Sequence, residues 1–230
     1  MKAAAEATKE AVSDADTLVE EVDVTTVAQA APTEEVVATE ARKGYDLLVI
    51  GMEPTVGPEG GFHEDVAKIA CGFEGPLAII SARGLHMIDP LRGGLDILVP
   101  VTGTEVSRRG AEVALVLARA TGSPVTVLHV TSSGSGSNSG RRRRLRHRRG
   151  DDEALLREIV GLADQYRVPI KTAVRVNIAA EDAILRQARL GNHNLIVMGV
   201  ARRPGETLSF GNVAASVLES AERSVVFLST

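Results

Sequence analysis

Ile97-Leu-Val-Pro-Val-Thr-Gly-Thr-Glu-Val-Ser107 is the stretch on which the fold turns. Asp96 to Val101 is a continuous β-rich run with no polar alternation after its first residue, the pattern of a parallel strand covered by helices on both faces. The next segment changes period. Ser107 to Thr121 places Ala111, Ala114, Leu115 and Ala118 on one helical stripe and ends at Gly122. Further along, Pro124 to Val130 (PVTVLHV) predicts a second strand. Asp151-Asp-Glu-Ala opens a helix with acids in its first turn, and Leu155, Leu156, Ile159, Leu162 and Ala163 form its apolar face. A strand at 168–176, a helix at 180–190, a strand at 194–199, a helix at 211–221 and a strand at 224–229 complete the series. Strands alternating with helices imply βαβ crossovers and an α/β fold with a doubly wound, mostly parallel sheet.

Upstream, the pattern repeats. Tyr45-Asp-Leu-Leu-Val-Ile-Gly51 lines up with His193-Asn-Leu-Ile-Val-Met-Gly199, an offset of 148 (199 minus 51), which also pairs Phe62 with Phe210, Ala67 with Ala215, Glu74 with Glu222 and Ser81 with Ser229. A duplicated unit is the simplest explanation. The first copy supplies a helix at 2–21, a strand at 22–27, a helix at 33–43, a strand at 46–50, a helix at 63–71 and a strand at 76–81. It has no counterpart of the first strand, first helix and second strand of the other copy. The expected organisation is a partial domain at 1–85, a linker at 86–94 with Pro90, Gly93 and Gly94, and a complete domain at 95–230 carrying a flexible Ser/Gly/Arg-rich insertion at 132–150. The short uncharged strands Leu77 to Ser81 and Val225 to Ser229 would be pairing hazards if left free.

Composition removes several function classes. The net charge of -4 conceals seven arginines between Arg141 and Arg149, without which the chain would stand at -11 (-4 minus 7). An acidic body with one basic segment is not the broad basic face of a duplex binder, and 3% aromatics with no Trp supplies few stacking platforms, so nucleic acid is not expected as a partner. The single cysteine, Cys71, cannot form an internal disulfide, and a reducing, cytoplasmic setting is expected. No run approaches the ~18 apolar residues of a spanning helix, and the acids near the start do not suit a signal peptide.

The segments Ile97 to Ser107, Val125-Thr-Val-Leu-His-Val130 and Leu195-Ile-Val-Met-Gly199 with its glycine-containing loop resemble a universal stress protein domain over residues 95–230, and the first 85 residues resemble the latter part of a second one. The resemblance implies a sheet of order 3-2-1-4-5 that holds ATP or another adenine nucleotide at the carboxyl ends of its strands, the usual ligand position in open α/β sheets. A tandem pair with a loop such as RRRRLRHRR is also similar to the cytoplasmic tails of some bacterial cation/proton antiporters. That likeness implies a regulatory nucleotide-sensing module beside a transporter membrane domain, at the inner face of the cell membrane. The alternative is a free-standing stress protein acting through dimerisation without nucleotide; the resemblance implies association through the strand that ends each domain, Leu77 to Ser81 and Val225 to Ser229 here, as a pseudo-dimer of the two copies or a homodimer.

Carried onto this sequence, the family's nucleotide motif gives Pro100, Thr102, Gly103, Val130, Gly199, Arg202, Arg203, Ser209, Gly211 and Asn212. Small residues admit phosphate to the main chain, and amides at a helix start donate to it. The sequence departs from the motif in three places. Arg202 replaces the second glycine, eight residues instead of nine precede Gly211-Asn212, and Thr102 stands where binding members carry an acid. A phosphate site built on the arginines and a purely structural loop both remain open. In the first copy, Gly51 to Gly61 carries acids and no basic residue, so an empty site is expected there. Arg141 to Arg149 reads either as a solvated insertion or as an attraction for anionic lipid headgroups. The five histidines lack ligand spacing, no serine sits in a nucleophile elbow, and no enzyme is expected. Asp151 and Asp152 read as helix-start charges, and Cys71 as a core residue.

Overall fold

The computed structural model describes residues 35–36, 39, 43–89, 94–131, 141–203 and 208–230, with backbone alone at 141–149. The chain divides into two units, Met1–Pro32 and Thr33–Thr230, and all described residues belong to the second. The helix expected at 2–21, the strand at 22–27, most of the helix at 33–43 and the Ser/Gly tract at 132–140 lie outside the described residues.

Seven strands form one sheet: β1 (Leu48–Gly51), β2 (Leu77–Ser81), β3 (Ile97–Val101), β4 (Val125–Thr131), β5 (Ile170–Val176), β6 (Leu195–Gly199) and β7 (Ser224–Ser229). The helices are α1 (Glu64–Cys71), α2 (Leu85–Ile88), α3 (Glu105–Thr121), α4 (Arg141–Tyr166), α5 (Ala180–Leu190) and α6 (Asn212–Ser220). The strand order is β1-β2-β7-β6-β3-β4-β5. Every neighbouring pair is parallel except β2 and β7, so the sheet is mixed.

Each face of the sheet has its own apolar layer. Residues of α1, α5 and α6 pack with Leu98, Ile196, Met198 and Phe227 on one face. On the other, α3 and α4 cover Ile97, Val99, Val197 and Val226. This double cover is why β3 is buried at every position and reads as an unbroken apolar run. The Thr104 hydroxyl caps α3 by accepting from the Ser107 amide, and Gly122 ends it at φ 64°.

Three expectations change. Helix α4 opens at Arg141 rather than Asp151, so ten residues assigned to a flexible insertion are helical backbone. Arg and Leu are strong helix formers, and no proline interrupts the run. Cys71 is exposed, because the buried stripe of α1 is Val66, Ile69 and Ala70, and the next position turns outward. Helix α2 reaches from Leu85 to Ile88, into the 86–94 segment expected as linker.

The antiparallel pairing of β2 with β7 runs from Leu77 opposite Ser229 to Ser81 opposite Val225. At its centre Ile79 faces Phe227, two fully buried side chains separated by the same 148 positions as the sequence repeat. Phe62, Phe210 and Phe227 gather beside this point. Phe62 meets the other two edge-on, with centroids 5.4 and 5.6 Å apart. From the chain after β2, the Arg83 guanidinium donates to the carbonyls of Leu218 and Ala221 at the end of α6, and burial lowers its pKa. A cation at a helix C-terminus satisfies carbonyls that the helix itself leaves open.

Phe227 therefore supports both halves of the sheet. Phe227→Ala is expected to cost about 3 to 5 kcal/mol in chemical denaturation. A loss below about 1 kcal/mol would show that the aromatic cluster is not part of the core.

Candidate functional site

Because β3, β4 and β6 run parallel, their carboxyl ends lie along one edge of the sheet, and the residues expected at a nucleotide site are distributed there. Pro100 is buried within β3, and Val130 is half-buried near the end of β4. The turn after β3 is closed on itself. The Thr102 amide donates to the Ser107 hydroxyl at 3.1 Å, and the Thr102 and Thr104 hydroxyls lie 3.1 Å apart. Gly103 takes φ 79°, a conformation that favours glycine, and Leu155 of α4 lies over it. Thr102 thus braces its own turn through both its amide and its hydroxyl.

Gly199 has a mechanical reason to be glycine. A Cβ there would sit 1.8 Å from the Val106 carbonyl oxygen and 2.8 Å from Ser107 Cα, and one on Gly110 would sit 2.5 Å from the Gly199 amide nitrogen. The pair of glycines lets α3 cross the end of β6 at backbone contact.

The loop beyond β6 separates the two arginines that the sequence grouped together. Arg202 turns toward α1, and its Nη1 donates to the carbonyls of Phe73 at 2.8 Å and Ala70 at 3.5 Å, while Nη2 reaches that of Gly75 at 3.5 Å. These carbonyls belong to the end of α1 and the chain after it, so Arg202 closes that helix. Arg203 stays with the loop. Its amide donates to the Ser209 carbonyl at 2.8 Å, and its side chain lies against Gly211. The Gly211 amide donates to the Ser209 hydroxyl at 3.2 Å. Gly211, at φ 90°, starts α6 with no side-chain cap, leaving helix-start amides beside an exposed guanidinium. Arg203, Ser209, Gly211 and Asn212 come together, and Arg202 leaves the group. Residues 204–207 lie outside the described set.

In the first half the loop after β1 is filled by a carboxylate. Glu219, in the last turn of α6, accepts from the Gly61 amide at 3.0 Å and lies against Gly60. Each loop therefore contacts the C-terminal end of the other half's helix, Arg202 on α1 and Glu219 on the Gly60–Gly61 turn.

The sequence reading missed two histidine–aspartate pairs. His129 bridges the Val101 carbonyl at 3.0 Å and Asp152 at 2.9 Å, so Asp152 is a tertiary partner within α4 and not a helix-start charge. His193 bonds Asp96 at the opposite, amino-terminal edge of the sheet. Partners 97 and 23 residues apart leave no local spacing signal. Among the described residues, the serine that meets a histidine is Ser224, with His86 at 3.0 Å, and it is buried under its own bond to the Arg83 backbone. Among the described residues no group of three or more His, Cys, Asp or Glu could hold a metal ion.

Residues 96–229 match the model of the universal stress protein family. The chain belongs to that family. Membership is in keeping with a non-catalytic module. Among solved structures, a Pseudomonas aeruginosa protein described as functionally unknown is 18% identical over 99% of this chain and 77% of its own, with a TM-score of 0.58. A universal stress protein of Archaeoglobus fulgidus is 16% identical over 84% of this chain and 65% of that one, with a TM-score of 0.55. Another from the same organism, in complex with dAMP, is 21% identical over 58% of this chain and 97% of that one, with a TM-score of 0.45. The likeness to the first two, at such identities, shows the fold alone. No curated protein sequence matches the chain significantly.

The two arginines should part in a stability measurement. Arg202→Ala is expected to lose about 1.5 to 3 kcal/mol, the range for charge-assisted hydrogen bonds. Arg203→Ala should remain within about 0.5 kcal/mol of the parent. Equal effects in urea titration would contradict this division.

Proposed function

We propose that this chain is a universal stress protein module that works through association of duplicated units, its glycine loop serving mainly to hold those units together. The observation that carries the reading is Arg202, one of the two arginines expected to hold phosphate, which is engaged instead with three carbonyls of the other half. Duplication is supported by the coincidence of two independent quantities: the 148-residue offset of the motifs and the Ile79–Phe227 pair at the centre of the antiparallel register. The pseudo-dimer reading of β2 and β7 rests on the same pair, as does the assignment of residues 1–85 to a partial copy.

A second reading is adenine nucleotide association at the start of α6. The Arg203 guanidinium beside uncapped amides at Gly211 and Asn212 favours it, because such a helix start accepts phosphate. Thr102, Pro100, Gly103 and Val130 would then border the nucleoside, with no carboxylate at Thr102 to hold the ribose. The narrower antiporter reading draws only on the tandem order and the basic run at Arg141 to Arg149. Among the described residues no helix is long and apolar enough to cross a membrane. A transporter membrane domain and an anionic membrane surface stand as partners of that narrower reading alone.

Calorimetric titration with ATP, AMP and cyclic AMP separates the two main readings. Association as the working principle predicts no dissociation constant tighter than about 1 mM, about 4 kcal/mol of binding free energy. A micromolar constant that Arg203→Ala abolishes would replace it with nucleotide sensing.

A further inference from the structure

β1 and β6 are counterparts by sequence, yet among the described residues their surroundings differ. On β6, Leu195 and Val197 are 6% and 0% exposed, inside the layer that α3 contributes to, and β3 pairs along the strand with Ile97 opposite Leu195 and Leu98 opposite Ile196. Their counterparts Leu47 and Val49 are 50% and 54% exposed, and Tyr45 beside them is also exposed. Among the described residues β1 ends the sheet, with β2 as its only strand neighbour.

The glycines point the same way. Gly199 is pressed by the backbone of α3, whereas a Cβ on Gly51 would meet nothing within 4 Å, and Gly51 has no left-handed φ to require the residue. Nothing in the described structure explains a glycine there. A helix crossing the end of β1, as α3 crosses the end of β6, would explain it, together with the bare apolar side chains that such a helix would cover. Exposed apolar residues at a sheet edge are an association site by default.

Resting on the duplicated-unit reading, we propose that the free edge and outer face of β1 form a docking site for a strand–helix–strand segment of universal stress type on a partner polypeptide. Its first strand enters parallel to β1, in the register by which β3 meets β6, and its helix lies over Val49 and Gly51. The partner is defined by chemistry: an apolar strand without alternating charge, followed by a helix with a small residue where Gly110 faces Gly199. Main-chain hydrogen bonds along the edge would give affinity, and the close helix crossing would give register.

The test joins a copy of residues 95–149 to the start of the full chain, which raises its effective concentration at the site. Docking predicts that amide exchange across residues 47–51 slows by about tenfold or more. It also predicts that Gly51→Val, neutral in the chain as it stands, lowers the melting temperature of the joined chain. Unchanged exchange at 47–51, or Gly51→Val neutral in both, overturns the proposal. So does a Val49→Glu variant that already destabilises the chain by itself, since the face would then be covered. If the joined chain does not fold, the same segment on a soluble carrier protein is titrated into the intact chain. Binding that Val49→Glu weakens about tenfold sustains the proposal, and absence of binding overturns it. The β2–β7 pairing is checked separately by Phe227→Ala, which acts at that seam and leaves the face of β1 untouched.

Discussion

The antiparallel contact between β2 and β7 is the constraint on which the other features depend. A doubly wound half ends in a strand whose outer edge would otherwise expose unpaired amides and carbonyls, and pairing two such edges removes both at once. With Ile79 opposite Phe227 at the centre, Phe62 and Phe210 are brought against Phe227, and one apolar layer runs beneath both halves. The helix ends then meet the partner half. Arg83 closes α6 and Arg202 closes α1, so each helix C-terminus is held by a guanidinium from across the seam. Such contacts strengthen one another only while the strands stay in register.

That arrangement gives physical content to the departures of the glycine loop. A nucleotide site needs its positive charge free and its small residues open to the ligand. Here Gly199 is used for helix-to-strand contact, Arg202 for helix closure, and Thr102 for its own turn. In the first half a carboxylate, Glu219, takes the loop amide. Arg203 stays beside the uncapped start of α6, and of the other positions Arg202 alone reaches across the seam.

Much of the architecture was legible because it is written locally. The unbroken run at β3, the stripe Ala111, Ala114, Leu115 and Ala118, and the stop at Gly122 each declare an element within a few residues. The β2–β7 contact was legible through the family resemblance, which implies association through the strand that ends a domain, and through two short uncharged strands that would be pairing hazards if left free. Side-chain roles that cross the seam were not. Whether Arg202 reaches phosphate or the Phe73 carbonyl depends on where α1 lies in space, and no spacing in the loop encodes that. The arginine run misled because composition suggested a coil while helix propensity was high. Cys71 misled by a single position on a helical face.

The central claim is that the two halves are one cooperative sheet joined at β2 and β7, and native-state hydrogen exchange at increasing denaturant tests it most directly. The account predicts that amides of residues 77–81 and 225–229 exchange through the same global opening as those of residues 97–101. Exchange of 77–81 by a smaller, separate opening, with 225–229 and 97–101 still protected, would contradict it.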